Sequence, residues 1–285
     1  MSTGRCGTQS LTKIVKDSLG DSATVTHEPI GALYKPKYTM AGVGMENAMV
    51  LEAAMRHFEA VVSSVSGGME YVETGWPSFT WYEKWSSSLG DKWRFIYLTR
   101  NPVHVAASFV THGYYTRERS DEYTDFAILQ PTDPGVSFPE IAAEWDTLTL
   151  FDKCLYQWLE INTRAFQLMA RGILPVSAIR FEELFASDAA RRELFGKLDW
   201  PTPPRVIDGI DKFHFGTDRR LRLTSHRIWE RVEKLAGDMG YSRQELLSAL
   251  QTTDYRQPRI PGKNVTKLWG NSLPGDKARK AKGSR

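Results

Sequence analysis

The chain opens on a glycine-bracketed loop that runs directly into a helix. Residues 2–10 read Ser-Thr-Gly-Arg-Cys-Gly-Thr-Gln-Ser. The apolar residues that follow have helical spacing: Leu11, Ile14, Val15 and Leu19. Gly4 and Gly7 permit the backbone angles that turn several amide N–H groups toward one side. Because a helix begins with unsatisfied N–H groups and the positive end of its dipole, the loop predicts an anion site.

The side chains of the loop suit the same anion. Arg5 carries a permanent positive charge, and the hydroxyls of Thr8 and Ser10 supply donors. A nucleotide-triphosphatase loop has the pattern G-x-x-x-x-G-K-S/T, in which the lysine reaches the terminal phosphates, whereas this chain has no lysine before Lys13. ATP is therefore not the expected ligand. An ordinary glycine turn before a helix remains the alternative for the loop taken alone.

A second segment, residues 94–108, adds another candidate anion site. It reads R-F-I-Y-L-T-R-N-P-V-H-V-A-A-S, so a β-rich apolar run ends at Arg100 and Pro102 begins a helix. Arg100 and Ser108 are eight residues apart. Both face one ligand if Arg100 reaches back from the end of the strand.

Together these segments resemble the sulfotransferases that use 3'-phosphoadenosine 5'-phosphosulfate. In that family a K/R-S-G-T-T loop holds the 5'-phosphosulfate, and R-N-P-x-D-x-x-x-S supplies an arginine and a serine to the 3'-phosphate. The resemblance implies that Arg100 and Ser108 bind the 3'-phosphate. It implies that the loop binds the phosphosulfate through Gly4, Arg5, Cys6, Gly7, Thr8, Gln9 and Ser10. Residues 179–184, I-R-F-E-E-L, resemble the family's R-Y-E-D-L, which implies that Phe181 lies near the adenine.

The chain departs from the family pattern at three positions. Cys6 replaces a serine, Gln9 replaces a common threonine, and His104 stands where the second motif has aspartate. None of these changes removes an anion-binding group. Cys6, next to Arg5 at a helix N-terminus, is either a reactive thiol with a lowered pKa or a small loop residue.

The alternation of elements predicts an α/β fold. Strands are expected at 23–27, 69–73, 93–99 and 174–181, with helices around 11–19, 46–64, 80–88 and 140–171. This order predicts a parallel sheet flanked by helices on both faces, and the resemblance implies the P-loop NTPase-like sulfotransferase fold. Residues 1–270 are expected to form a single domain. A loop of this type normally follows a central strand, and only Met1 precedes Ser2, so we expect a shortened or misassigned start.

The implied reaction is in-line transfer of a sulfuryl group to an acceptor hydroxyl or amine, which requires a base. Glu28 is the first candidate, since a glutamate in this stretch is the base in several glycan and protein-tyrosine sulfotransferases. His27 is the second, because strand alternation turns it to the side opposite its neighbour. Residues 73–77, E-T-G-W-P, occupy the place of the cytosolic family branch's K-T-H-x-P and lack its histidine. This leaves Glu73 as the third candidate.

The acceptor is expected to be a small molecule or a glycan. Five aromatic residues lie close together in the sequence: Trp76, Phe79, Trp81, Tyr82 and Trp85. They are expected either to line an acceptor site or, as the alternative, to pack in the core. Residues 112–138 read as an irregular lid. Arg259, Lys263, Asn264 and Lys267 weakly resemble the family's C-terminal donor-binding segment, and a solvated basic face is the alternative.

Composition narrows the class of protein further. The chain has 285 residues, of which 41% are hydrophobic and 25% charged, and no apolar run of about 18 residues suggests a membrane span. With no targeting signal visible, a cytoplasmic location is expected, unless a shortened start has removed a signal anchor. Of the net charge of +3, residues 271–285 contribute +4 and the rest of the chain −1. These residues read as a disordered basic tail and not as a nucleic-acid-binding element. Two cysteines give no metal pattern. The resemblance implies a reaction that needs no metal. The oligomeric state stays open.

Two rival functions share the general fold. A nucleotide-dependent kinase needs a loop lysine and acidic magnesium ligands, neither of which is identified in the sequence. A non-catalytic nucleotide-binding protein needs no base. The product of sulfuryl transfer, adenosine 3',5'-bisphosphate, is the ligand that distinguishes these functions.

Overall fold

The computed structural model describes residues 2–29, 48–75, 89–116, 128–171, 176–201 and 222–252. Four short strands lie in these ranges: β1 (Ala23–His27), β2 (Glu70–Thr74), β3 (Phe95–Thr99) and β4 (Val176–Arg180). The α-helices there are α1 (Thr8–Leu19), α2 (Ala48–Ser66), α3 (Pro102–Thr111), α4 (Leu150–Ala170), α5 (Phe181–Ala186), α6 (Asp188–Lys197), α7 (His226–Asp238) and α8 (Arg243–Thr252). Several sequence predictions lie outside the described residues: the aromatic cluster of 76–85, the central part of the lid, the basic residues of 259–267 and the tail.

The strands form two parallel pairs. In the first, β1 pairs with β2 and places His27 opposite Thr74. In the second, β3 pairs with β4 and places Thr99 opposite Arg180. No hydrogen-bonded ladder joins the two pairs within the described ranges. The fold is therefore mixed α/β with short parallel strands, as the sequence predicts at the coarse level.

The first pair has helices against both faces. Helix α1 buries its predicted apolar face, including Val15, in the same cluster as Val25 and Val72. Helix α2 packs through Ala54 and Val61 in a second cluster that contains Tyr71. Because successive strand residues point to opposite faces, Val72 and Tyr71 belong to different clusters.

Helix α4 is the centre of the larger core. Its fully buried side chains include Tyr156 and Trp158, and both α3 and α7 pack against it. The helix predicted over 140–171 is interrupted, because a 3₁₀ segment (Pro139–Thr147) ends before α4 begins. Thr149 and Asp152 form a reciprocal capping box at that start.

Asp152 also fixes the chain that leads into α7. Its buried carboxylate accepts hydrogen bonds from the backbone N–H groups of Thr224 (3.1 Å) and Ser225 (3.3 Å) as well as from the Thr149 hydroxyl (2.6 Å). Helices α7 and α8 are not among the elements predicted from the sequence. The α7 apolar stripe is nevertheless present in the sequence: Ile228, Trp229, Val232 and Ala236 are all buried. None of the described helices is long and apolar enough to cross a membrane.

Replacing Asp152 tests this arrangement. Asp152→Ala leaves several buried N–H groups without an acceptor, so the free energy of unfolding should fall by roughly 2–4 kcal/mol in chemical denaturation. Asp146→Ala, at an exposed position in the preceding 3₁₀ segment, is the matched control and should stay within about 0.5 kcal/mol of the parent. Equal losses in the two variants would contradict the assigned role of Asp152.

Candidate functional site

The loop of residues 2–7 has a backbone that turns on itself. Gly4, Arg5 and Gly7 have positive φ angles of 80°, 57° and 75°. The Gly4 N–H donates to the Ser2 hydroxyl (3.0 Å), and the Thr3 hydroxyl donates to the Gly4 carbonyl (3.2 Å). Helix α1 begins directly after Gly7, whose lack of a side chain leaves the helix start without a side-chain cap. The first turn of α1 therefore keeps N–H groups for an external acceptor.

Arg5 joins this loop to the Arg-Asn-Pro segment. Its Nε donates to the Ser108 hydroxyl at 2.9 Å, and its carbonyl accepts from Nη1 of Arg100 at 2.7 Å. The structure therefore brings together three of the residues predicted to bind the phosphosulfate ligand. Arg5 is separated in sequence from Arg100 by 95 residues and from Ser108 by 103. In the first turn of α1, Thr8 is buried, Ser10 is half-buried and Gln9 is exposed.

The electrostatics of this junction favour an anion. Burial lowers the pKa of Arg5, and the nearby positive charge of Arg100 lowers it further, while Tyr114, Cys6 and Glu28 oppose the shift. The Nε of Arg100 is buried and has no hydrogen-bond partner within the described structure. An anion between the two arginines would relieve their repulsion, and each charge-assisted hydrogen bond to it would contribute about 1.5–3 kcal/mol.

Phe181 packs against the loop from the other side. The guanidinium of Arg100 lies 4.5 Å from the centroid of its ring, and its ring contacts that of Phe185 with centroids 4.6 Å apart. A Cβ atom added to Gly7 would lie 2.6 Å from Cε2 of Phe181. Only glycine satisfies both the left-handed backbone and this close approach at position 7.

Glu182 positions the start of α3, a role that the sequence analysis did not assign. Its carboxylate accepts from the Asn101 N–H (3.0 Å) and from the Tyr241 hydroxyl (2.9 Å). Asn101 in turn caps α3 by accepting from the Val103 N–H at 3.0 Å. An acidic residue two positions after the end of β4 is the only sequence signal for this contact.

Both leading base candidates lie at the carboxyl end of β1 and are held by Thr74. The Thr74 carbonyl accepts from Nδ1 of His27 at 2.7 Å and from the Glu28 N–H at 3.2 Å. The Thr74 hydroxyl contacts that of Thr12, which lies one turn into α1. This contact connects the candidate bases to the helix that begins at the anion loop.

Glu73, the third base candidate, lies with the α2 cluster. Its buried carboxylate accepts from Nε2 of His57 at 3.1 Å and from the more distant Tyr71 hydroxyl at 3.5 Å. Its neighbour Thr74 contacts α1 instead, as strand alternation requires. His57 has no recognisable pattern in the sequence, and its pairing with Glu73 depends on the packing of α2 against β2.

The reactive-thiol interpretation of Cys6 is wrong. Its side chain is fully buried, and it contacts the Thr3 hydroxyl and the Gly4 carbonyl, each at 3.2 Å. Burial raises the pKa of the Cys6 thiol and outweighs the effect of nearby Arg100, because a thiolate is poorly solvated there. Cys6 is the small loop residue of the alternative interpretation.

His104 lines a separate concavity of about 420 Å³ between α3 and α8. Other lining residues include Arg180, Glu182, Gln244 and Glu245. Burial lowers the pKa of His104, and Arg100 adds to this effect. Within the described ranges, no group of three or more His, Cys, Asp or Glu side chains is arranged to hold a metal ion.

Comparison with protein-family models, with curated proteins and with solved structures finds no match for this chain.

The contact between Gly7 and Phe181 can be tested by a double-mutant cycle. Gly7→Ala should lower the free energy of unfolding through both its left-handed backbone and its clash with the ring, whereas Gly240→Ala should show only the backbone cost of about 1–2 kcal/mol. In the Phe181→Ala background, the Gly7→Ala penalty should fall toward that of Gly240→Ala, with any remainder due to Phe185, whose Cε2 lies 3.0 Å from the added Cβ. An unchanged penalty would show that the ring does not restrict position 7.

Proposed function

We propose that this protein transfers a sulfuryl group from 3'-phosphoadenosine 5'-phosphosulfate to a hydroxyl or amine of a small-molecule or glycan acceptor. The observation that carries the proposal is the junction of Arg5, Arg100 and Ser108. Two separate motifs of the sequence contribute these residues, and the resemblance assigns the motifs to the two phosphate groups of one ligand. If either motif resembled the family only by chance, there would be no reason for the fold to bring the two motifs into contact.

In this proposal the donor lies across the junction. The loop amides and Arg5 hold the phosphosulfate, together with the polar groups of Thr8 and Ser10, while Arg100 and Ser108 hold the 3'-phosphate. The ring of Phe181 is on the adenine side. Because the donors are fixed by the loop and by α3 before the ligand arrives, they would stabilise charge on the leaving phosphate without reorganising.

The same proposal treats the two parallel pairs as parts of one sheet flanked by helices, the P-loop NTPase-like sulfotransferase fold. It is supported by the helices on both faces of the β1–β2 pair. It is also supported by the positions of Glu28, Arg100 and Phe181, which directly follow the carboxyl ends of β1, β3 and β4. Ligands of parallel α/β sheets bind at that edge.

The acceptor proton goes to a side chain at the end of β1. Glu28 is the first candidate from the sequence and His27 the second. The acceptor oxygen or nitrogen forms a bond to sulfur while the bond from sulfur to the 5'-phosphate oxygen breaks. The electron pair of the broken bond remains on the leaving adenosine 3',5'-bisphosphate, and the proton remains on the base.

Titration calorimetry with adenosine 3',5'-bisphosphate tests the donor site directly. The bisphosphate should bind without magnesium, and Arg100→Ala should weaken its binding about 10- to 100-fold, since one charge-assisted contact is lost. Arg94→Ala, at an exposed arginine just before β3, is the matched control and should bind like the parent. A preference for magnesium-ATP would favour a kinase and defeat the proposal.

Turnover with labelled donor and a panel of acceptors tests the role of Arg5. Arg5→Ala should reduce transfer at least about 100-fold, because the charge nearest the leaving phosphate is removed. Arg5→Lys keeps the charge but loses the geometry of the Nε contact to Ser108, so an intermediate rate is expected. Full turnover by Arg5→Ala would remove Arg5 from the mechanism.

A further inference from the structure

The Thr74 carbonyl determines which nitrogen of His27 carries a proton. This oxygen accepts from Nδ1 of His27 at 2.7 Å. A carbonyl oxygen has no proton to donate, so Nδ1 must be protonated in this contact. A neutral His27 then has its lone pair on Nε2, and this tautomer can accept a proton there.

A chain of hydroxyl groups ties this ring to the anion loop. The Thr12 hydroxyl donates to the Thr8 carbonyl at 2.8 Å, so in its contact with Thr74 it accepts. The Thr74 hydroxyl therefore donates to Thr12, its nearer acceptor, since the Thr26 carbonyl is 3.4 Å away. Its remaining lone pairs face Nδ1 of His27 at 3.3 Å. Each hydrogen bond in this chain is therefore donated in the same direction, from His27 through Thr74 and Thr12 to the carbonyl of Thr8, the first residue of α1.

Glu28 has a different electrostatic relation to the site. Its negative charge raises the pKa of the buried Arg5, opposing the effect of burial. Its backbone is left-handed, with a φ of 46°, and its Cγ lies 3.0 Å from the position that a Cβ at Gly75 would take. Glu28 thus acts on the site through its charge, whereas the His27 ring is held by a hydrogen bond that leaves Nε2 as its proton acceptor.

We propose that His27 is the general base of the transfer and that Thr74 is its positioning residue. The inference rests on the proposed function. Nε2 takes the acceptor proton as the acceptor forms its bond to sulfur, while the bond from sulfur to the 5'-phosphate oxygen breaks and its electron pair leaves with the bisphosphate. The resulting imidazolium keeps its Nδ1–H bond to the Thr74 carbonyl, so the same contact orients the neutral ring and stabilises the charged one.

Nuclear magnetic resonance of the full chain labelled with ¹⁵N-histidine tests the tautomer without any substrate. The His27 signals, identified by their loss in His27→Asn, should show a protonated Nδ1 and an unprotonated Nε2 in the neutral ring. Thr74→Val removes the hydroxyl but keeps the backbone carbonyl, so Nδ1 should stay protonated in this variant as in Thr74→Ser. A neutral ring protonated on Nε2, in the parent chain or in either variant, would overturn the inference.

Turnover completes the test. In His27→Asn the side-chain amide can still donate to the Thr74 carbonyl, but the proton acceptor is lost, so kcat should fall at least about 100-fold while bisphosphate affinity is kept. The loss in Glu28→Gln should be smaller. If Glu28→Gln loses more than His27→Asn, Glu28 is the base and only this inference fails. If the parent chain binds no bisphosphate and transfers no sulfuryl group, the proposed function fails first and takes the inference with it.

Discussion

The two hydrogen bonds of Arg5 hold the candidate site together. Arg5 belongs to the loop before α1, which packs on the β1–β2 pair, whereas its partners Arg100 and Ser108 belong to the turn and helix after β3. Without a described ladder between the strand pairs, contacts of this kind are what bring the two sets of candidate residues to one place. Phe181, which follows β4, packs beneath the same junction.

Several features of this junction are energetically unfavourable in the free protein, and a bound anion would offset them. Arg5 has a positive φ angle, its guanidinium is desolvated, and Arg100 adds a second positive charge nearby. Glu28 compensates only in part, since the net effect on the pKa of Arg5 remains a lowering. Strained backbone and like charges in close proximity are typical of sites built for binding. A polyanionic ligand suits the junction better than a neutral one.

Local patterns predicted most of the elements, but few of the contacts between them. The alternation in 23–27 fixed β1, and the helical spacing after Gly7 fixed α1, because both signals are short-range. The break before α4 was missed because its cap depends on Asp152, which also binds the distant residues Thr224 and Ser225. The role of Thr74 depends on the register of β1 against β2, and the packing of Phe181 on Gly7 depends on the tertiary fold.

The most direct test of the central claim is a crystal structure of the full chain with adenosine 3',5'-bisphosphate. One phosphate should lie at the loop of residues 2–7 with Arg5, and the other at Arg100 and Ser108. A bisphosphate bound in the concavity of His104 and Glu245, with the Arg5–Ser108 contact unchanged, would contradict the proposed donor site.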